Sequence, residues 1–202
     1  ELARVANGRI FMHIAWLANP LACIAISTLL AMIPGLAREH HLSTTFAGLF
    51  CSIWFFGRLA SFILLWCWQG WHYRIEGLLL AFLGLVIGLV VLLLAYQLWM
   101  LLLGQIVFGL SAGLIYYSSL FYSMDVGHTK AEHGGVHEAA MGFGNCLGPA
   151  TGAAGLLLAP HVANASAYAV SGLLTVGFAS LAGLWYRRTR KRILTMCRNQ
   201  TG

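Results

Sequence analysis

Six apolar stretches, read at about 11–36, 44–69, 75–96, 98–123, 136–160 and 164–186, alternate with short polar connectors along this chain. A hydrocarbon core about 30 Å thick is crossed by about 17–25 mainly apolar helical residues, so each stretch is long enough to span it. The first two are slightly longer and can tilt. The expected fold class is an all-α membrane protein with six transmembrane helices in a single domain, residues 1–202. Composition agrees: 59% of the residues are hydrophobic and 9% charged, far from the roughly 25% charged residues of soluble domains.

The basic residues fall on one side of this arrangement. If the chain starts in the cytoplasm, that side gathers Arg4, Arg9, Arg74, Lys130, Arg187, Arg188, Arg190, Lys191, Arg192 and Arg198, while the opposite loops hold only Arg38. Short loops retain Lys and Arg on the cytoplasmic face, so both termini are expected to be cytoplasmic, in a cell (inner) membrane, with 187–202 as a basic tail. The net charge of +6 sits at membrane-proximal ends, which favours anionic headgroups over nucleic acid as its partner. The first stretch is too long for a signal-peptide core and lacks a small-residue cleavage site, so it is expected to remain as a helix. A chain opening on Glu1 rather than Met is expected to be a piece of a longer one. Cys23, Cys51, Cys67, Cys146 and Cys197 show no CxxC spacing, so neither a disulfide framework nor a zinc site follows, and no cofactor is expected. Trp66, Trp68, Trp71 and Tyr73, the pair Tyr96 and Trp99, and the pair Trp185 and Tyr186 mark the interfaces, where a ring buries its body and wets its polar edge.

Polarity is unequal among the spans. The first carries His13, Asn19, Ser27 and Thr28; the second Arg58 and Ser61; the fourth Gln105, Ser111, Ser118 and Ser119; the fifth Glu138 and Asn145. The third is nearly free of polar side chains after Glu76, and the sixth offers Ser171, Thr175 and Ser180. Helices one, two, four and five are therefore expected to line a polar interior, and three and six to face lipid.

Arg58 is the most telling residue, because an ionisable group that far from either interface costs at least about 2.5–3.5 kcal/mol unless it finds a partner or a wet cavity. It reads as a substrate or counter-ion site, or as a lock between two helices through carbonyls or a carboxylate. Glu138, Gly142, Asn145, Pro149 and Gly152 share one face of the fifth span. Glu138 is a candidate proton acceptor or partner for Arg58, with the alternative of an interfacial carboxylate favoured by a helix N-terminus. Gln105, Gly109, Ala112, Tyr116, Ser119 and Ser123 form a similar face on the fourth span, and Gln105 and Tyr116 carry groups that need partners in lipid. Pro20 frees a backbone carbonyl one turn earlier, and Asn19 beside it is a candidate to line the bend. The cavity candidates are thus Asn19, Arg58, Gln105, Tyr116, Glu138 and Asn145.

Two further patterns carry less. Gly109, Ser111 and Gly113 match the GxSxG of a serine nucleophile, but no deeply placed His stands ready as its base. No catalytic residue is assigned, and the chain is not read as an enzyme. His128, His133 and His137 lie near Glu132 and Glu138, and His133 and His137 would form an i, i+4 pair on a helix. Gly134 and Gly135 argue against a helix there, so a solvated loop is expected and no metal site.

The segment Gly144-Asn145-Cys146-Leu147-Gly148-Pro149-Ala150-Thr151-Gly152-Ala153 resembles the GxxxGPxxGG helix motif of major facilitator superfamily transporters, with Ala153 in place of the final Gly. In that superfamily the motif marks a fifth helix, particularly in proton-linked exporters; Gly144, Gly148, Pro149 and Gly152 are its packing residues here. Gly57-Arg58-Leu59-Ala60 resembles the opening of the superfamily's cytoplasmic loop motif, but Ser61 replaces the Asp that would follow and apolar residues replace the basic loop. Gln105 stands where the fourth helix of exporters often has Arg. Both departures favour the C-terminal half, whose tenth and eleventh helices the stretch from Gly109 into the motif is similar to. The resemblance implies two inverted three-helix repeats, transport of a small solute by alternating access, and an N-terminal six-helix half of the same transporter as partner. It also implies protons as a coupling ion and efflux as the direction. The alternatives are a non-transporting scaffold or receptor-like domain that associates through small-residue faces, and uptake of an anionic metabolite with Arg58 as its counter-charge.

Overall fold

The computed structural model describes the backbone of residues 2–126, 130–162 and 164–200 and the side chains of 8–68, 70–126, 132–162 and 164–186. Expectations that rest on Arg4, Lys130, His128 and the basic side chains of 187–202 lie outside the described residues. Among the described residues six helices follow one another: α1 (Leu2–Glu39), α2 (Thr44–Cys67), α3 (Ile75–Leu94), α4 (Leu98–Asp125), α5 (Lys130–Leu158) and α6 (Ala165–Gln200). A single 3₁₀ turn at Gln69–Trp71 joins α2 to α3. The helices pair their own backbone groups, as segments in lipid must.

Among the described residues five helices are long and apolar enough to cross a membrane: Gly8–Glu39, Thr44–Cys67, Ile75–Leu94, Leu98–Asp125 and Ala165–Tyr186. The expected fifth apolar stretch, 136–160, differs in kind. At 29 residues α5 is long enough, but its small and polar residues, among them Gly142, Gly144, Asn145, Gly148, Thr151 and Gly152, leave it less apolar than the rest. It also begins earlier than expected. Gly134 and Gly135 are helical, which corrects the expected loop: a helix already propagating through a long segment absorbs the roughly 1 kcal/mol that each glycine costs. Likewise α1 stays helical through Pro20 and Pro34.

Helix α4 is the hub, packed against α1, α2, α3 and α5. Its glycines admit neighbouring backbones. A methyl group added at Gly109 would meet the Trp54 carbonyl of α2, and one at Gly113 would meet Ser61 and the Arg58 carbonyl. From the other side, Gly57 of α2 faces the Ile106 carbonyl at 3.0 Å from where such a methyl would stand. The GxSxG pattern is thus a helix crossing, of the small-residue kind that van der Waals packing favours in lipid. On another face of α4, Gly88 of α3 lies against the backbone of Phe108, and Gly84 against Ser111.

The α5 motif is used the same way. Gly144 lies against Pro20 and Cys23 of α1, Gly148 against Ile24 and Ser27, Gly152 against Ser166 of α6 and Gly155 against Ala165 and Ala169. Helices α3 and α6 meet through the stacked rings of Phe82 and Phe178, 6.1 Å apart. Their outer faces expose Leu80, Leu83 and Ile87 on α3 and Tyr168, Val176 and Leu184 on α6.

The α2–α3 connector is tied to the end of α4. Tyr73 takes a left-handed conformation, φ 58°, which costs a non-glycine residue about 1–3 kcal/mol unless its surroundings hold it. Its N–H donates to the Tyr122 hydroxyl at 3.0 Å, and its own hydroxyl donates to Asp125.

Candidate functional site

Arg58 lies in the interior of α2, half-buried, and its guanidinium carbon sits 4.6 Å from the centre of the Tyr116 ring on α4. The Phe62 ring, one turn along α2, is 5.6 Å away. The close α2–α4 crossing at Gly109 and Gly113 produces this contact, because it brings the two helices together one turn before Tyr116. Cation–π attraction of this kind is worth about 0.5–2 kcal/mol, rising as water is excluded. Nevertheless Nε of Arg58 is buried without a hydrogen-bond partner among the described residues. The Glu138 carboxylate on α5 is exposed, and among the described residues Arg58 meets the rings of Tyr116 and Phe62 rather than a carboxylate.

Tyr116 has a second neighbour that the sequence reading did not place in the cavity. The His137 ring of α5 stands edge-on to it at 5.3 Å. His137 is fully buried, its Nδ1 hydrogen-bonds Ser119 Oγ of α4 at 2.9 Å, and its Nε2 has no partner among the described residues. The i, i+4 spacing of His133 and His137 carries the signal, and the glycines between them mask it.

Below this cluster, α1, α4 and α5 share a polar chain. The Trp16 indole donates to Ser123 Oγ at 2.7 Å, Ser123 donates to the Ser119 carbonyl at 2.7 Å, and the His133 ring stands edge-on to Trp16 at 5.5 Å. The two histidines of α5 therefore face α1 and α4 rather than solvent.

The other candidates fall elsewhere. Asn145 is exposed and accepts a long hydrogen bond from Ser27 of α1 at 3.4 Å. Asn19 and Gln105 are buried, 1% and 0% exposed. Nδ2 of Asn19 and both amide atoms of Gln105 lack partners among the described residues, a costly state for groups that are hydrogen-bonded in most interiors. No hydrogen bond links either to Arg58. Of the packing residues Gly144, Gly148 and Gly152 are buried, whereas Pro149 is exposed.

A groove of about 950 Å³ opens between α3 and α4, lined by Leu80, Leu83, Ile87, Val107, Leu110 and Leu114 with Trp68 and Arg74 near one end. It lies on a different face of α4 from Tyr116 and contains none of the candidate residues. The polar chemistry is at Arg58, so the groove is an apolar outer surface rather than the site.

A family model described as sugar (and other) transporter matches residues 15–181, a range that takes in every candidate residue. No curated protein matches the chain.

Proposed function

We propose that this chain, which belongs to the sugar (and other) transporter family of the major facilitator superfamily, is one six-helix half of a secondary transporter and carries a small solute across a cell membrane by alternating access. The observation that carries the proposal is the Arg58 cluster: a half-buried cation inside a helix, lodged on Tyr116 beside His137, where α2, α4 and α5 converge. Ionisable groups at such positions mark substrate and ion pathways, since lipid alone would not tolerate them.

Two further features support the half-transporter reading. Packing of α2 on α4 is matched by packing of α1 on α5, the exchange expected if α1–α3 and α4–α6 are inverted repeats. In addition, α2 and α5 expose Phe55, Phe56, Leu59 and Phe143 beside polar Asn145 and Glu138, surfaces suited to a second half and a shared cavity. The C-terminal half is the better match, through Ser61 and Gln105. The motif at Gly144–Ala153 supports export with protons as the coupling ion.

The test is flux. Full-length protein reconstituted into vesicles, with a pH gradient imposed in either direction, is assayed with labelled sugars, organic anions and amphipathic compounds. Arg58→Ala is expected to reduce flux at least about tenfold, the loss of one hydrogen bond to a charged group. Folded protein that moves no solute in either direction would favour a scaffold instead.

A further inference from the structure

We infer that the site binds its solute through a carboxylate held by Arg58, so that the substrate class is small organic anions with a carbon skeleton that lies against Phe62 and Tyr116. This rests on the transport reading above and narrows its substrate.

Three observations converge. The first is charge. Arg58 sits inside a helix of a membrane domain, and its contacts among the described residues are aromatic faces rather than a carboxylate. A ring quadrupole attracts a cation without neutralising it, and among the described residues no carboxylate is paired with the guanidinium, so a solute anion bound there would supply the partner.

The second is donor geometry. A guanidinium presents its N–H groups in a rigid planar fork that matches a carboxylate at two points. Here the guanidinium carbon lies over the Tyr116 ring and Nε is buried without an acceptor among the described residues. The contact with the Tyr116 ring places the fork before any ligand arrives.

The third is His137. It is fully buried, Ser119 takes up its Nδ1, and its Nε2 lacks a partner while the ring rests on the same Tyr116. Two unsatisfied polar groups on one tyrosine are the mark of a site completed by something else. The aromatic walls of Phe62 and Tyr116 then select an anion with an apolar body over a fully hydrated inorganic one.

Equilibrium binding to the full-length protein in nanodiscs tests this with benzoate, lactate and gluconate, each paired with its carboxamide, and with phosphate at matched ionic strength. At least one carboxylate is expected to bind at least about tenfold more tightly than its amide and than phosphate, the span that one charge-assisted hydrogen bond accounts for. Arg58→Ala should lose that preference and Arg58→Lys retain part of it. Tyr116→Leu should weaken binding while Tyr116→Phe, which keeps the stacking face, preserves it; this pair decides the matter if Arg58→Ala does not fold. Acid and amide binding alike, phosphate binding as tightly, no carboxylate binding at all, or wild-type affinity in folded Arg58→Ala would each overturn the inference. Flux of a neutral solute without carboxylate binding would remove this inference and leave transport standing. Carboxylate binding without flux would do the reverse.

Discussion

Gly109 tests the packing at the scale of one methyl group. Its place against the Trp54 carbonyl leaves no room for a side chain, so Gly109→Ala is expected to destabilise by about 1–3 kcal/mol, the usual range for overpacking. Gly142, with nothing within 4 Å of an added methyl, should instead gain about 0.5–1 kcal/mol of helix propensity as alanine. Thermal unfolding in detergent separates the two, and equal shifts would mean that the α2–α4 crossing is looser than described. Trp16→Phe keeps the ring but removes the indole donor to Ser123, for an expected loss of about 0.5–1.5 kcal/mol. Single residues were unevenly legible in the sequence. Arg58 announced itself because a charge inside an apolar run has few explanations. His137 did not, because its meaning depends on Tyr116 and Ser119, which belong to another helix and meet it only through tertiary packing.

Among the elements, α1 and α6 overrun their apolar stretches, starting at Leu2 and ending at Gln200, and α5 departs from its reading at its start. The apolar runs set the bounds of α2, α3 and α4 to within about two residues, since hydropathy and helix length act together there. At the start of α5 they diverge: polar residues and two glycines precede the apolar run, yet the segment from Lys130 is helical. Gly134 and Gly135 have open space around them, so replacing both with alanine is expected to stabilise α5 by about 0.5–1 kcal/mol each. Slower amide exchange across 132–138 would report it, and unchanged exchange would argue that this turn is not helical. The small-residue motif was legible as a packing device. Its division of labour was not: Gly144 and Gly148 serve α1 whereas Gly152 and Gly155 serve α6. For the first pair, Gly148→Leu should lower the unfolding midpoint where Gly142→Ala does not.

For the whole molecule, the orientation proposed from the basic residues is open to a direct check. Cysteines placed at Arg38 and His161, in a background lacking the native thiols, should react with an impermeant reagent added outside, and one at Thr201 should not. Strong outside labelling at Thr201 would invert the topology. The prolines also divide the bundle mechanically. Helices α2, α3 and α4 contain none, and α4 is seated on α2 and α3 through glycine contacts too close to slide. Helices α1 and α5 carry Pro20, Pro34 and Pro149, and they lie against each other where Gly144 touches Pro20. Each such proline removes one rung of the hydrogen-bond ladder and lowers the work of bending there. The domain is therefore a stiff strut flanked by a compliant one. Arg58 and Tyr116 belong to the strut, which keeps their spacing under load, and His137 rides on the spring.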